Sequence, residues 1–178
     1  GIGNAAKKGI LFKGGDSMER LAKGNIMFFD KTGTLTLGKP ELKKIYTFDY
    51  DETELLRIAS IGETYSEHPL ASAIIEEASM RSLSSLDEPK KSKLMIGKGI
   101  KFEYNNISYT IGNDKILDFP LTPEVTTKIN AFESQGYTTL IMADSSRVLG
   151  LFAIADGLRK HAKEVIQDIK QLGIKDVI

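Results

Sequence analysis

The sequence predicts an α/β chain in two parts: an outer parallel-sheet part, interrupted by an inserted α+β part with antiparallel strands. Three observations carry this. Ile26-Met27-Phe28-Phe29 is too apolar for a half-wet strand and stops abruptly at Asp30. That pattern predicts a strand over 26–30 buried on both faces, as in a parallel sheet. Residues 148–178 read strand, helix, strand, a βαβ unit and a second sign of a parallel sheet. Between these lie short alternating strands and helices with turns of their own, an α+β pattern. The predicted division is 1–36 and 152–178 for the outer part and 37–151 for the insertion.

Taken in order, Gly1–Gly15 is rich in Gly and Lys, and Asp16–Ala22 predicts a short helix capped by Asp16 or Ser17. Gly1-x-Gly3-x-x-Ala6 touches a dinucleotide fingerprint, but no strand precedes it, so the context fails. Thr36–Pro40 reads as a hinge-like exit and Lys43–Phe48 as a short strand. Asp51 stands three residues before Glu54, as in a capping box, ahead of a helix face of Leu55, Leu56 and Ala59. Pro69 opens a second helix, with Leu70, Ala71, Ile74, Ile75 and Ala78 on its apolar face. Ser82–Lys93 is Ser- and charge-rich and predicts a loop. Leu94–Ile96, Ile100–Tyr104 and Ile107–Ile111 alternate as strands, the last two joined by an Asn105-Asn106 turn. Thr122-Pro123 starts a helix that Gly136 stops. Thr138–Ala143 and Arg147–Ile154 predict a hairpin around Asp144-Ser145-Ser146. Ala162, Val165, Ile166, Ile169 and Leu172 then line a helix face, closed by Gly173, before a last strand from Ile174.

Composition narrows the function classes. The 178 residues carry 24 Lys+Arg against 24 Asp+Glu, which argues against a dedicated nucleic-acid binder. Cysteine is absent, so disulfides and thiolate metal ligands are excluded within this sequence. The longest strongly apolar run, Val148–Ala155, contains Gly150 and falls far short of a membrane span of about 20 residues. The first residues lack the apolar core of a signal peptide. The expectation is a soluble, cytosol-compatible chain.

The chemistry concentrates at Asp30-Lys31-Thr32-Gly33-Thr34-Leu35-Thr36. In open α/β sheets ligands bind beyond the carboxyl ends of strands, where Asp30 is expected. A carboxylate there can attack a phosphoryl group and hold it covalently. Lys31 supplies positive charge, and the small residues after it supply hydroxyls and close N–H groups for phosphate oxygens. This heptapeptide resembles, without a substitution, the phosphorylation signature of P-type ATPases, the ion pumps that pass through an aspartyl-phosphate. The resemblance implies Asp30, Lys31 and Thr32 as catalytic residues. It also implies a partial Mg²⁺ site from Asp30 and the Thr32 carbonyl. Related phosphatases carry a second Asp two residues on; here that position is Thr32, which favours a phosphoenzyme that persists. The implied fold is a partial Rossmann-like, haloacid-dehalogenase-like phosphorylation domain holding an inserted nucleotide-binding domain.

Three clusters in the insertion extend the resemblance to the heavy-metal subclass. Glu63-Thr64-Tyr65-Ser66-Glu67-His68-Pro69-Leu70-Ala71 matches its Ser-Glu-His-Pro run after a Glu, implying that Glu63 and His68 touch the adenine of ATP. An imidazole can stack on or hydrogen-bond a purine, and a carboxylate can accept from its exocyclic amine. Without the resemblance, a His before Pro reads as a helix cap. Gly97-Lys98-Gly99 matches the family's Gly-x-Gly, where missing side chains let a base or phosphate approach the backbone; alone it is as consistent with a bulge. Gly112-Asn113 matches a Gly-Asn that lines the same pocket, and alone reads as a strand-to-turn junction. Asp156 and Arg159 match an Asp-x-x-Lys/Arg at re-entry to the phosphorylation domain, implying a hinge, though the usual Pro after it is Lys160. Asp156 alone reads as the cap of a helix over 158–172.

The resemblance covers essentially the whole chain. It implies ATP and Mg²⁺ as cofactors, with transmembrane and actuator domains and a heavy-metal ion, copper by family frequency, as partners. The implied setting is a cytoplasmic domain of an integral membrane protein. The family's Thr-Gly-Asp and Gly-Asp-Gly-x-Asn-Asp loops are not in this sequence. The fragment alone is therefore expected to bind nucleotide with little or no turnover. Two other readings stay open: a soluble phosphohydrolase with a large cap domain, and a non-catalytic nucleotide-binding module.

Overall fold

The computed structural model describes residues 1–83 and 87–178, and at Thr32 the backbone alone. In chain order the elements are α1 (Ile2–Lys7), α2 (Gly15–Ala22), β1 (Ile26–Met27), a π-helical turn (Lys31–Leu35), β2 (Thr36–Thr47), α3 (Glu52–Glu63) and α4 (Pro69–Met80). There follow β3 (Lys90–Met95), β4 (Gly99–Tyr104), β5 (Ile107–Gly112), a 3₁₀ turn (Asp114–Ile116), α5 (Pro123–Glu133), β6 (Thr138–Ala143), β7 (Val148–Leu158), α6 (Ala162–Gln171) and β8 (Asp176–Val177). The chain divides into two compact units, Gly1–Gly38 with Leu158–Ile178, and Lys39–Gly157.

In the first unit β1 pairs with β8 in parallel, Ile26 opposite Asp176 and Met27 opposite Val177. The ladder runs on through Phe29 N–H to the Ile178 carbonyl, 2.8 Å. Parallel pairing agrees with the expectation; burial on both faces does not. Ile26 is 47% and Phe28 74% exposed. Met27 and Phe29 are half-buried, so the run has partners for its backbone but only partial cover for its side chains. The apolar stripe of α6 is partly covered: Ala162 is buried and Ile166 and Ile169 half-buried, while Val165 and Leu172 are exposed. The expected helix over 16–22 forms, but its cap is Gly14 and makes no side-chain hydrogen bond. Asp16 lies inside the first turn instead, where a carboxylate suits the positive helix end.

The second unit is built on a six-stranded sheet, ordered β2-β7-β6-β5-β4-β3. Pairs β3–β4, β4–β5, β5–β6 and β6–β7 are all antiparallel. Residues 148–178 therefore follow the expected strand-helix-strand order, but β7 joins this antiparallel sheet and β8 the other one. The apolar run in β7 reflects cover on both faces, not parallel neighbours. On one face Leu149, Phe152 and Ile154 meet Leu55, Leu56, Ile58 and Ala59 of α3 and Ala73 and Ile74 of α4. On the other, Val148, Leu151 and Ala153 meet Val125 and Phe132 of α5.

The helix starts follow from their caps. Asp51 accepts from Glu54 N–H at 2.8 Å, and Thr122 Oγ1 accepts from Val125 N–H at 3.3 Å. Asn105 and Asn106 take φ of 50° and 62° and close the β4–β5 hairpin. The segment Thr36–Pro40, expected as a hinge-like exit, is the first part of β2, which runs from Thr36 to Thr47. Pro40 is compatible with that strand because β2 lies at a sheet edge, where a missing N–H is tolerated. The loop expected over Ser82–Lys93 is shorter: β3 already begins at Lys90, and 84–86 lie outside the described residues.

Candidate functional site

Two places carry the residues singled out by the sequence, one in each unit. In the first, Asp30 follows the short β1 and stands at the start of the π-helical turn, exposed and making no capping bond. Thr36, 1% exposed, ties that turn together: its Oγ1 accepts from Gly33 N–H and donates to the Lys31 carbonyl, both at 3.1 Å. Arg159 holds the same turn from the far end of the sequence. Its guanidinium donates to the Gly33 carbonyl and its N–H to the Leu35 carbonyl, both at 2.9 Å. The exposed carboxylate is thus presented on a loop fixed by a buried threonine and an arginine. Lys31 is exposed, and the Thr32 side chain lies outside the described residues.

Asp156 is not a helix cap. It lies within β7 and its Oδ1 accepts from Lys39 N–H at 2.9 Å. Helix α6 starts six residues later, with His161 at the cap position beside Glu164. The sequence reasoning missed that β7 continues through Asp156 and Gly157.

In the second unit Glu63, His68, Gly97, Gly99, Gly112 and Asn113 line one cavity of about 710 Å³. That is within the size range of small-molecule sites. Glu63 ends α3 and is 5% exposed. Burial raises its carboxyl to about 7, against a smaller opposing effect of a hydrogen bond from Ser66. His68 caps α4: its Nδ1 accepts from Leu70 N–H at 3.2 Å. The cap consumes Nδ1 as an acceptor and leaves Nε2 for other partners.

The glycines and Asn113 have architectural reasons of their own. Gly99 and Gly112 face each other across β4 and β5. A Cβ on Gly99 would lie 2.0 Å from the Ile111 carbonyl oxygen, and one on Gly112 2.0 Å from that of Lys98. The hairpin itself demands both glycines, whatever binds nearby. Gly97, at φ +70°, closes the turn in which Lys98 N–H meets the Met95 carbonyl at 2.8 Å. Asn113 staples that turn by donating to the Gly97 carbonyl at 2.9 Å, while its Oδ1 accepts from Lys115 N–H at 3.1 Å.

Other lining residues were given no binding role from the sequence: Tyr65, Leu94, Ile96, Lys98 and Thr139 among them. Thr139 Oγ1 is buried with no hydrogen-bond partner among the described residues. Strand alternation alone marks such positions as in or out, without saying which cavity they border. Among the described residues no group of three His, Asp or Glu side chains could hold a metal. Asp30 and the Thr32 carbonyl would supply only part of an octahedral Mg²⁺ shell, the remaining oxygens coming from phosphate, water or further groups. No described helix is long and apolar enough to cross a membrane.

Comparison with known proteins agrees with this geometry. The chain is 38% identical over 178 residues to a probable copper-exporting P-type ATPase of Archaeoglobus fulgidus, covering 98% of the chain and 22% of that protein. It is 40% identical over 186 residues to a cadmium-transporting ATPase of Staphylococcus aureus, covering 99% of the chain and 25% of that protein. The chain thus spans about a quarter of the length of these relatives. Among solved structures, a zinc-transporting PIB-type ATPase in the E2.Pi state superposes with a TM-score of 0.85 at 33% identity, over 99% of the chain and 29% of that structure. The pattern of the haloacid dehalogenase-like hydrolases matches residues 25–178. The chain belongs to the haloacid dehalogenase-like hydrolases, and it is homologous over nearly its whole length to heavy-metal P-type ATPases.

Proposed function

We propose that this chain is the ATP-binding and phosphoryl-accepting region of a heavy-metal-exporting P-type ATPase. Residues 37–151 form its nucleotide-binding domain, and 1–36 with 152–178 its phosphorylation domain. The observation that supports this most is the convergence of 63–68, 97–99 and 112–113 on one cavity. In this reading adenine lies against Glu63 and the Nε2 edge of His68. An Asp30 carboxylate oxygen attacks the γ-phosphorus of ATP, the bond to the β–γ bridging oxygen breaks, and ADP leaves. Lys31 offsets the developing charge, and Arg159 and Thr36 keep the loop from moving during transfer. Mg²⁺, when bound, neutralises phosphate charge, with Asp30 and the Thr32 carbonyl as two of its oxygens.

The intact protein is then an integral membrane pump, with this chain as a cytoplasmic part beside transmembrane and actuator domains. Copper is the proposed cargo, since one relative is named for copper export; cadmium, named for the other, is the competing ion. The test of the nucleotide site is titration of ATP while following the His68 ring by NMR. Saturable shifts at His68 support the reading, and their absence at millimolar ATP overturns it. Rapid hydrolysis of small phosphate esters by the chain alone would favour a phosphohydrolase instead.

A further inference from the structure

Ile96 is 93% and Tyr65 60% exposed, yet both border the same cavity. Exposure of single apolar side chains is common, so the shared cavity is the informative part. Ile96 sits at the tip of the Met95–Lys98 turn, where a polar residue would serve the backbone equally well. Tyr65 lies in the link between α3 and α4, and the nearby Glu88 carboxylate raises the pKa of its hydroxyl. Neither side chain adds to the two core clusters. Leu94, 65% exposed, borders the cavity beside them.

The polar groups of this cavity could fix the edge of a flat heteroaromatic ring but not its faces. Glu63 and His68 point hydrogen-bonding atoms; Asn113 is engaged on both sides within the protein. A planar base leaves two large apolar faces needing cover, and aromatic or aliphatic side chains supply it. We propose that Tyr65 and Ile96 are specificity-determining residues that cover the faces of the nucleobase, and so favour purine over pyrimidine nucleotides. Cover scales with ring area, and a purine offers two fused rings. The inference rests on the nucleotide reading above and adds to it the residues that select the base.

The experiment is isothermal titration of the full chain with ATP and with UTP. Wild type is expected to bind ATP more tightly than UTP by roughly tenfold or more, on the scale of base stacking. Tyr65→Ala and Ile96→Ser should each weaken ATP roughly five- to tenfold, weaken UTP less, and leave the melting temperature unchanged. Tyr65→Phe keeps the ring and removes only the hydroxyl, and should retain ATP affinity within about twofold. If wild type binds neither nucleotide, the nucleotide reading itself falls. If wild type binds ATP but Tyr65→Ala and Ile96→Ser bind both nucleotides as wild type does, the site stands and this inference is overturned. A lowered melting temperature in both variants also overturns it, since the side chains would then serve the fold. So does a Tyr65→Phe defect as large as that of Tyr65→Ala.

Discussion

Replacing Glu63 with glutamine tests whether a buried carboxyl lining the cavity makes stability depend on pH. Glu63 is 5% exposed, and burial raises its carboxyl from 4.5 to about 7. The folded state therefore holds the proton more tightly than the unfolded chain. The stabilisation is full below pH 4.5 and is lost as pH rises through about 7. One pKa unit corresponds to about 1.36 kcal/mol, so the full loss is roughly 3 kcal/mol. Between about pH 5 and about pH 8 the share lost is roughly 2.5 kcal/mol. Glutamine keeps the shape and cannot ionise. The variant's stability should thus gain on wild type by roughly 2.5 kcal/mol over that interval, with other titrating groups cancelling in the difference. Urea unfolding followed by tyrosine fluorescence reads this cleanly. All six tyrosines lie within Lys39–Gly157 and the chain has no tryptophan, so the signal reports that unit. A gap between variant and wild type that changes by less than about 0.7 kcal/mol across the interval would refute the buried-carboxyl argument.

Three more outcomes follow from the same geometry. Asp30→Asn should abolish phosphoenzyme in the intact protein while ATP affinity of this chain stays within about twofold, measured by acid-stable labelling and calorimetry. Gly99→Ala should destabilise by about 3 kcal/mol or more, because its Cβ meets a backbone oxygen at 2.0 Å, while Gly97→Ala, with open space, should lose only the strain of its positive φ, about 1–2 kcal/mol. Equal losses in urea unfolding would contradict the contrast. Thr139→Val replaces a buried hydroxyl, without a hydrogen-bond partner among the described residues, with a methyl of similar shape and should stabilise the unliganded chain by about 1 kcal/mol; a destabilised variant would mean the hydroxyl has a partner.

Local signals in the sequence carried far, because caps and turns depend on residues adjacent in the chain. Asp51, Thr122, Pro69 and the Asn105-Asn106 turn all sit where their chemistry puts them. What failed depended on neighbours distant in sequence. An apolar run reports how many faces will be covered, not the direction of adjacent strands. In β7 both faces are covered within an antiparallel sheet. In β1 the run pairs in parallel and Phe28 remains 74% exposed. The same limit explains Asp156, whose partner is Lys39 N–H, 117 residues away. It also explains Arg159, whose hold on the Gly33 carbonyl has no local trace.

The motif residues of the cavity serve the fold as well as any ligand, so losing one of them does not identify a contact. His68 is where the two roles separate. Its Nδ1 caps α4, and its ring borders the cavity. His68→Ala removes both, at a stability loss of about 1 kcal/mol for the cap. His68→Asn keeps a strong capping side chain and removes the ring. If the ring meets the base, the asparagine variant should melt near wild type and still bind ATP roughly tenfold more weakly. If His68 is a cap and nothing more, the asparagine variant should match wild type in both measurements, and only alanine should suffer. The two substitutions together decide between the roles because each moves a different observable.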